Sequence, residues 1–135
     1  MPQLIQHIDA IARKKQRDVL YLMFPRKKDR PPQDVEDLPL RRQIIEWLEH
    51  EGIDWKPCGG IASETRMVPY RGQIYVDVPF DPSDPAYQKL QSYLEHPDGT
   101  MRFDEALFCA LTLDVAMKNA HHDEPGFWER WADEF

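Results

Sequence analysis

The 135 residues suffice to bury a core without disulfides or a structural metal, and four Trp, five Tyr and six Phe are too many for a disordered acidic chain. No run approaches the roughly 18 apolar residues that span a bilayer, and the first residues lack the apolar segment of a signal peptide. Cys58 and Cys109 lie far apart and outside any C-x-x-C arrangement, which argues against a disulfide framework or a zinc site. A single α+β domain, reduced and cytoplasmic, with no membrane association, is the expectation.

The net charge of −7 conceals an asymmetry. Residues 1–30 carry eight Lys and Arg against three acids, whereas residues 31–135 carry nine against twenty-one. The bases form two clusters, Arg13, Lys14, Lys15 and Arg17, then Arg26, Lys27, Lys28 and Arg30, on either side of an apolar run. If that run is a strand, about 20 Å separates them, so they need not form one patch. Solvated charge at element ends is one reading of the clusters and an anionic partner the other.

Residues 2–17 show Leu4, Ile5, Ile8, Ile11 and Ala12 at three- and four-residue intervals, the stripe of an amphipathic helix whose basic last turn suits the helix dipole. Residues 19–24 are apolar on both faces, as in a central strand. Residues 25–37 are polar and proline-bearing, a loop. A second amphipathic helix is expected over residues 38–51, with Leu40, Ile44, Trp47 and Leu48 on one side and Gly52 ending it. Residues 53–57 read as a short strand.

Residues 71–80 give the clearest strand pattern: Ile74, Val76, Val78 and Phe80 alternate with Gln73, Tyr75, Asp77 and Pro79. Next comes a turn, with Ser83 or Asp84 as N-cap and Pro85 in the first turn of a helix reaching about Glu95. Residues 101–103 and 107–113 read as extended, with a hairpin possible across Asp104 and Glu105, and residues 114–120 as a short helix. In the tail, Asp123 is a candidate cap before Phe127, Trp128, Trp131 and Phe135 at helical spacing.

Without the first and last helices the order is strand, helix, strand, strand, helix, strand. That order suggests a ferredoxin-like split βαβ core, an antiparallel four-stranded sheet with extra N-terminal and C-terminal helices. Its first and third strands would be central, and the two most apolar runs occupy those places. The N-terminal helix and the aromatic tail are the candidates to cover the face carrying Tyr21, Met23 and Tyr75.

Residues 71–78, Arg-Gly-Gln-Ile-Tyr-Val-Asp-Val, resemble the central-strand signature of RNA-recognition motifs, with Arg71, Gly72, Tyr75 and Val76 in agreement and Gln73, Ile74 and Val78 departing. The resemblance implies a platform on which aromatics of an open sheet face stack bases, with Tyr21 as companion to Tyr75. Overall acidity opposes it, since phosphate neutralisation drives most nucleic-acid affinity. The run from His121 to Glu124 has metal-ligand residue types, but adjacent side chains diverge, and helix capping is the expected role. Cys58, before two glycines, is the one candidate nucleophile.

The main expectation is a non-catalytic binding or regulatory protein of acidic character, with no cofactor and no metal. Its partner is a protein or a second copy of the chain rather than nucleic acid, and Phe127, Trp128 and Trp131 are candidate anchors beside Tyr21, Arg71 and Tyr75. The alternatives are an RNA-binding platform around Tyr75 and a small enzyme using Cys58.

Overall fold

Strand β1, Val19–Met23, has five successive apolar residues, and such a sequence is stable only where both faces of the strand are covered. The computed structural model describes residues 5–25, 38–63 and 70–133. Around β1 they form α1 (Ile8–Lys15), α2 (Pro39–His50), β2 (Trp55–Pro57), β3 (Ile74–Val76), α3 (Pro85–Leu94), β4 (Leu107–Leu111), α4 (Leu113–Met117), a 3-10 turn (Ala120–Asp123) and α5 (Phe127–Asp133). The strands make an open sheet in the order β2-β3-β1-β4, every neighbouring pair antiparallel. The fold is therefore α+β with β1 and β3 in the centre. No described helix is long and apolar enough to cross a membrane.

Alternation along the strands divides the interior in two. Leu20, Leu22, Ile74 and Val76 meet Ile44 and Leu48 of α2 and Tyr87, Leu90 and Leu94 of α3. Trp47 borders this layer and stacks on Tyr93, with ring centroids 4.0 Å apart. On the opposite face Val19, Tyr75 and Leu111 meet Ile8, Ile11 and Ala12 of α1, Ala116 of α4, and Cys58. Each fully buried Leu, Ile or Val contributes about 1.5–3 kcal/mol, so neither layer is dispensable.

A polar staple holds α1 in place. Asp9 is wholly buried and Arg13 is 5% exposed. Arg13 donates to Asp9 Oδ2 at 3.1 Å, to the Ala116 carbonyl at 3.0 Å, and through Nε and Nη2 to both oxygens of Asp123 at 2.7 and 2.9 Å. Asp9 also accepts from Asn119 Nδ2 at 2.8 Å and from the Ala62 amide at 3.2 Å. Asp123 is thereby spent on Arg13 and does not cap α5, which begins after Gly126 at φ 80°.

The main strand is shorter than its alternation suggests. The Val78 amide bonds back to the Val76 carbonyl at 2.9 Å, a three-residue turn that takes the chain out of the sheet. Val78 stays buried but Phe80 is 45% exposed, outside the core expected for it. Asp84, rather than Ser83, caps α3, accepting from the Ala86 and Tyr87 amides. Residues 101–103 form no strand. The turn at residues 97–99, with Gly99 at φ 88°, folds them back over the end of α3, where the Arg102 amide bonds the Leu94 carbonyl at 2.9 Å. The second basic cluster, the residue 26–37 loop and Phe135 lie outside the described residues.

Candidate functional site

Strand β4 is the most unusual surface in the molecule. Its sequence, Leu-Phe-Cys-Ala-Leu, has no charge and no proline, and it pairs with β1 in continuous register from Val19–Leu111 to Met23–Leu107. Edge strands in proteins normally carry such guards, because an unguarded edge pairs with other chains. Among the described residues no segment bonds to the outer side of β4.

Antiparallel alternation says which groups are free there. The Asp77 amide bonds the Asp54 carbonyl and the Cys58 amide bonds the Gln73 carbonyl, so the odd-numbered residues of β3 face β2. Ile74 and Val76 therefore bond Leu22 and Leu20 of β1, leaving Val19, Tyr21 and Met23 to bond Leu111, Cys109 and Leu107. Phe108 and Ala110 are left with amides and carbonyls directed outward. Leu107 is 44% exposed on this strand, and Val115 and Met117 are exposed on α4, which follows directly. Exposed Asp104 and Asp114 flank the strand at its two ends.

The residues of the expected stacking platform are placed differently. Tyr21 and Tyr75 are cross-strand partners, as their positions require. Their face is not open, because α1 and α4 pack on it and Tyr75 is 3% exposed. The Tyr75 hydroxyl donates to Asp77 Oδ1 at 2.8 Å, and burial, reinforced by that carboxylate, pushes the phenol up to about 12. A base reaches this ring only if α1 leaves. Arg71 is exposed and precedes the strand, its amide donating to Gln73 Oε1 at 2.7 Å, so the structure does not bring it to the two tyrosines as a stacking group.

Cys58 is wholly buried, and that burial pushes its thiol up to about 12 despite the nearby Lys56 charge. Cys109 is half-buried and its thiol is likewise raised by burial. Activation of a nucleophilic cysteine needs surroundings that lower the thiol, and burial acts in the opposite direction on both. Among the described residues no three His, Cys, Asp or Glu side chains are grouped to hold a metal.

Comparison with family models, curated proteins and solved structures finds no match.

The aromatic tail packs within the chain, but on the 3-10 turn and the residue before α1 rather than on the sheet. Trp128 lies 4.7 Å from buried His122, 5.0 Å from Phe127, 5.5 Å from Trp131 and 6.1 Å from His7 (ring centroids). Gly59 faces His7 so closely that a Cβ there would lie 3.1 Å from His7 Nδ1. His121 and Phe127 meet edge to face at 5.4 Å. The apolar run of β4 and its place outside the two central strands are legible in the sequence, but which of its main-chain groups face outward is not, because that depends on the register with β1.

Proposed function

We propose that this chain is a non-catalytic protein-binding module that takes an extended, basic segment of a partner protein along the outer edge of β4. The observation that carries the reading is the unguarded edge, with the Phe108 and Ala110 main-chain groups directed outward. Strand addition of this kind draws affinity from main-chain hydrogen bonds and specificity from alternate side chains. The basic character of the partner follows from Asp104 and Asp114 at the two ends, and from twelve acids against four bases over residues 77–133.

A second copy of the chain is the less favoured occupant. Two β4 strands related by a two-fold axis at Cys109 would bring the Asp104 end of each to the Asp114 end of the other, and like charges opposed across strands are destabilising. The core is read as ferredoxin-like, on the support of the two helices between strands and the central placement of β1 and β3. The unpaired thiols support a reducing, cytoplasmic setting.

The test is fluorescence polarisation of a labelled peptide of alternating Lys and Val. Saturable binding that weakens as salt rises and is lost in Ala110→Pro is the expected result. Proline there deletes an amide that faces away from β1, so the ladder to β1 survives. Undiminished binding by a folded Ala110→Pro protein would overturn the reading.

A further inference from the structure

Beside the β4 edge stands a row of aromatic rings. Directly opposed residues of neighbouring strands share a face of the sheet, so Phe108 and Ala110, opposite Leu22 and Leu20, lie on the side covered by α2 and α3. There the Phe108 ring meets Tyr87 of α3, with centroids 6.4 Å apart, and Tyr87 stacks in turn on Phe80 at 5.7 Å and 27°. Buried Tyr87 thereby joins half-buried Phe108 to exposed Phe80. Ala110, the next residue of β4 on this face, is exposed and offers a single methyl.

Phe80 is held firmly where it stands. The Val78 amide bonds the Val76 carbonyl and the Asp81 amide bonds the Pro79 carbonyl, each at 2.9 Å, so two three-residue turns bracket the ring. Val78 is buried on one side of it. On the other, Asp81 Oδ1 accepts from the Ser83 amide and hydroxyl at 2.9 and 2.7 Å. A ring fixed in this way loses little freedom when something docks on it. A lone exposed apolar side chain is ordinary. Phe80 differs because it is stacked on a row that ends at the one strand with main-chain groups directed outward from Phe108 and Ala110.

We propose that the segment bound along β4 seats one large apolar side chain, aromatic by preference, on Ala110 and Phe108 and against the exposed ring of Phe80. The proposal rests on the edge reading and adds what the edge selects besides charge. A residue aligned with Phe108 or Ala110 places its side chain on their face whichever way the segment runs, because the pleats of adjacent strands are in phase. Aromatic pairs are favoured at centroid separations of about 4.5–7 Å, the range already found within the row. The intervening side chains fall on the α1 and α4 side, beside Leu107 and Cys109, and basic residues belong at the flanks, toward Asp104 and Asp114. The partner is thus a strand with an apolar centre between basic ends.

The experiment compares two labelled peptides by fluorescence polarisation, Lys-Lys-Val-Thr-Phe-Thr-Val-Lys-Lys and its counterpart with Ala at the centre. The Phe peptide is expected to bind about tenfold more tightly, an advantage that disappears in Phe80→Ser while the Ala peptide is little affected. Phe80 is 45% exposed, so the fold does not rest on it. A measurement free of any variant accompanies this: nuclear Overhauser contacts from the peptide ring to Phe80 and Phe108 in the unaltered protein. Contacts to Leu107 and Cys109 instead, equal affinity for the two peptides, or an advantage that survives Phe80→Ser would overturn this inference and leave the edge reading standing. Binding of neither peptide, or binding indifferent to Ala110→Pro, would overturn the edge reading and this inference with it.

Discussion

Asp9 and Arg13 stand four residues apart on one turn of α1, and neither could be buried alone. Removing one partner of a buried charge pair leaves the other uncompensated and costs about 3–5 kcal/mol. Asp9→Ala is therefore expected to lower stability by about that amount in urea unfolding. Asp123→Ala should cost clearly less, because that side chain is 54% exposed and water can replace it. Equal losses would show that the staple does not work through buried charge. Cys58 and Tyr75 make an alkaline prediction. Both are pushed up to about 12, so the folded state keeps protons that the unfolded chain releases in the ordinary thiol and phenol ranges. Their stabilisation is whole below the ordinary thiol value and drains away as pH rises toward 12. Urea midpoints stepped through that range should fall, and Cys58→Ala should flatten the early part of the decline.

Among the elements, α3 depends on a single side chain at its start. Asp84 Oδ1 accepts from the Ala86 and Tyr87 amides at 2.9 and 3.1 Å, and Asp84→Ala is expected to cost about 1 kcal/mol by the same urea assay. The elements also show how far residue pattern reaches. The apolar stripe Ile8, Ile11 and Ala12, the proline–aspartate helix start and the continuous apolar run of β1 are local signals, and each became the element its spacing implied. Phe80 kept the period of a strand, but a turn at Val78 ended the sheet before it, and periodicity carries no information about where hydrogen bonding stops. Asp123 looked like a helix cap because capping is judged within a few residues. Its real partner, Arg13, lies 110 positions away, and no local rule could supply it. The same limit hid which main-chain groups of β4 face outward and the ion pair of Arg17 with Asp77, both of which exist only once distant segments are side by side.

For the whole molecule, the carboxylates matter at low pH. Asp123 is held below its ordinary value first by its bond to Arg13, and Asp77 by the Tyr75 hydroxyl and neighbouring charges acting against its own burial. Groups lowered in this way stabilise the fold above the unfolded carboxylate range, and that contribution is lost as pH falls through it. The urea midpoint is expected to drop between neutral pH and about pH 3, with a shallower drop in Asp77→Asn. A midpoint insensitive to acid would contradict the pairings drawn for both groups.

The staple has one more consequence, and it concerns time rather than strength. The groups that fix Arg13 come from Ala116 and Asp123, and Asp9 needs Asn119 as well. A chain emerging from the ribosome presents α1 early and these partners roughly a hundred residues later, at about 5–20 residues per second. For much of that time the apolar stripe of α1 has only Val19, and then Cys58 and Tyr75, to pack on, without the cover of α4 or the bonds of Arg13. Helix α1 is thus made well before it can be secured, and until Asp123 appears its incompletely covered apolar stripe is open to chaperones and to misassociation.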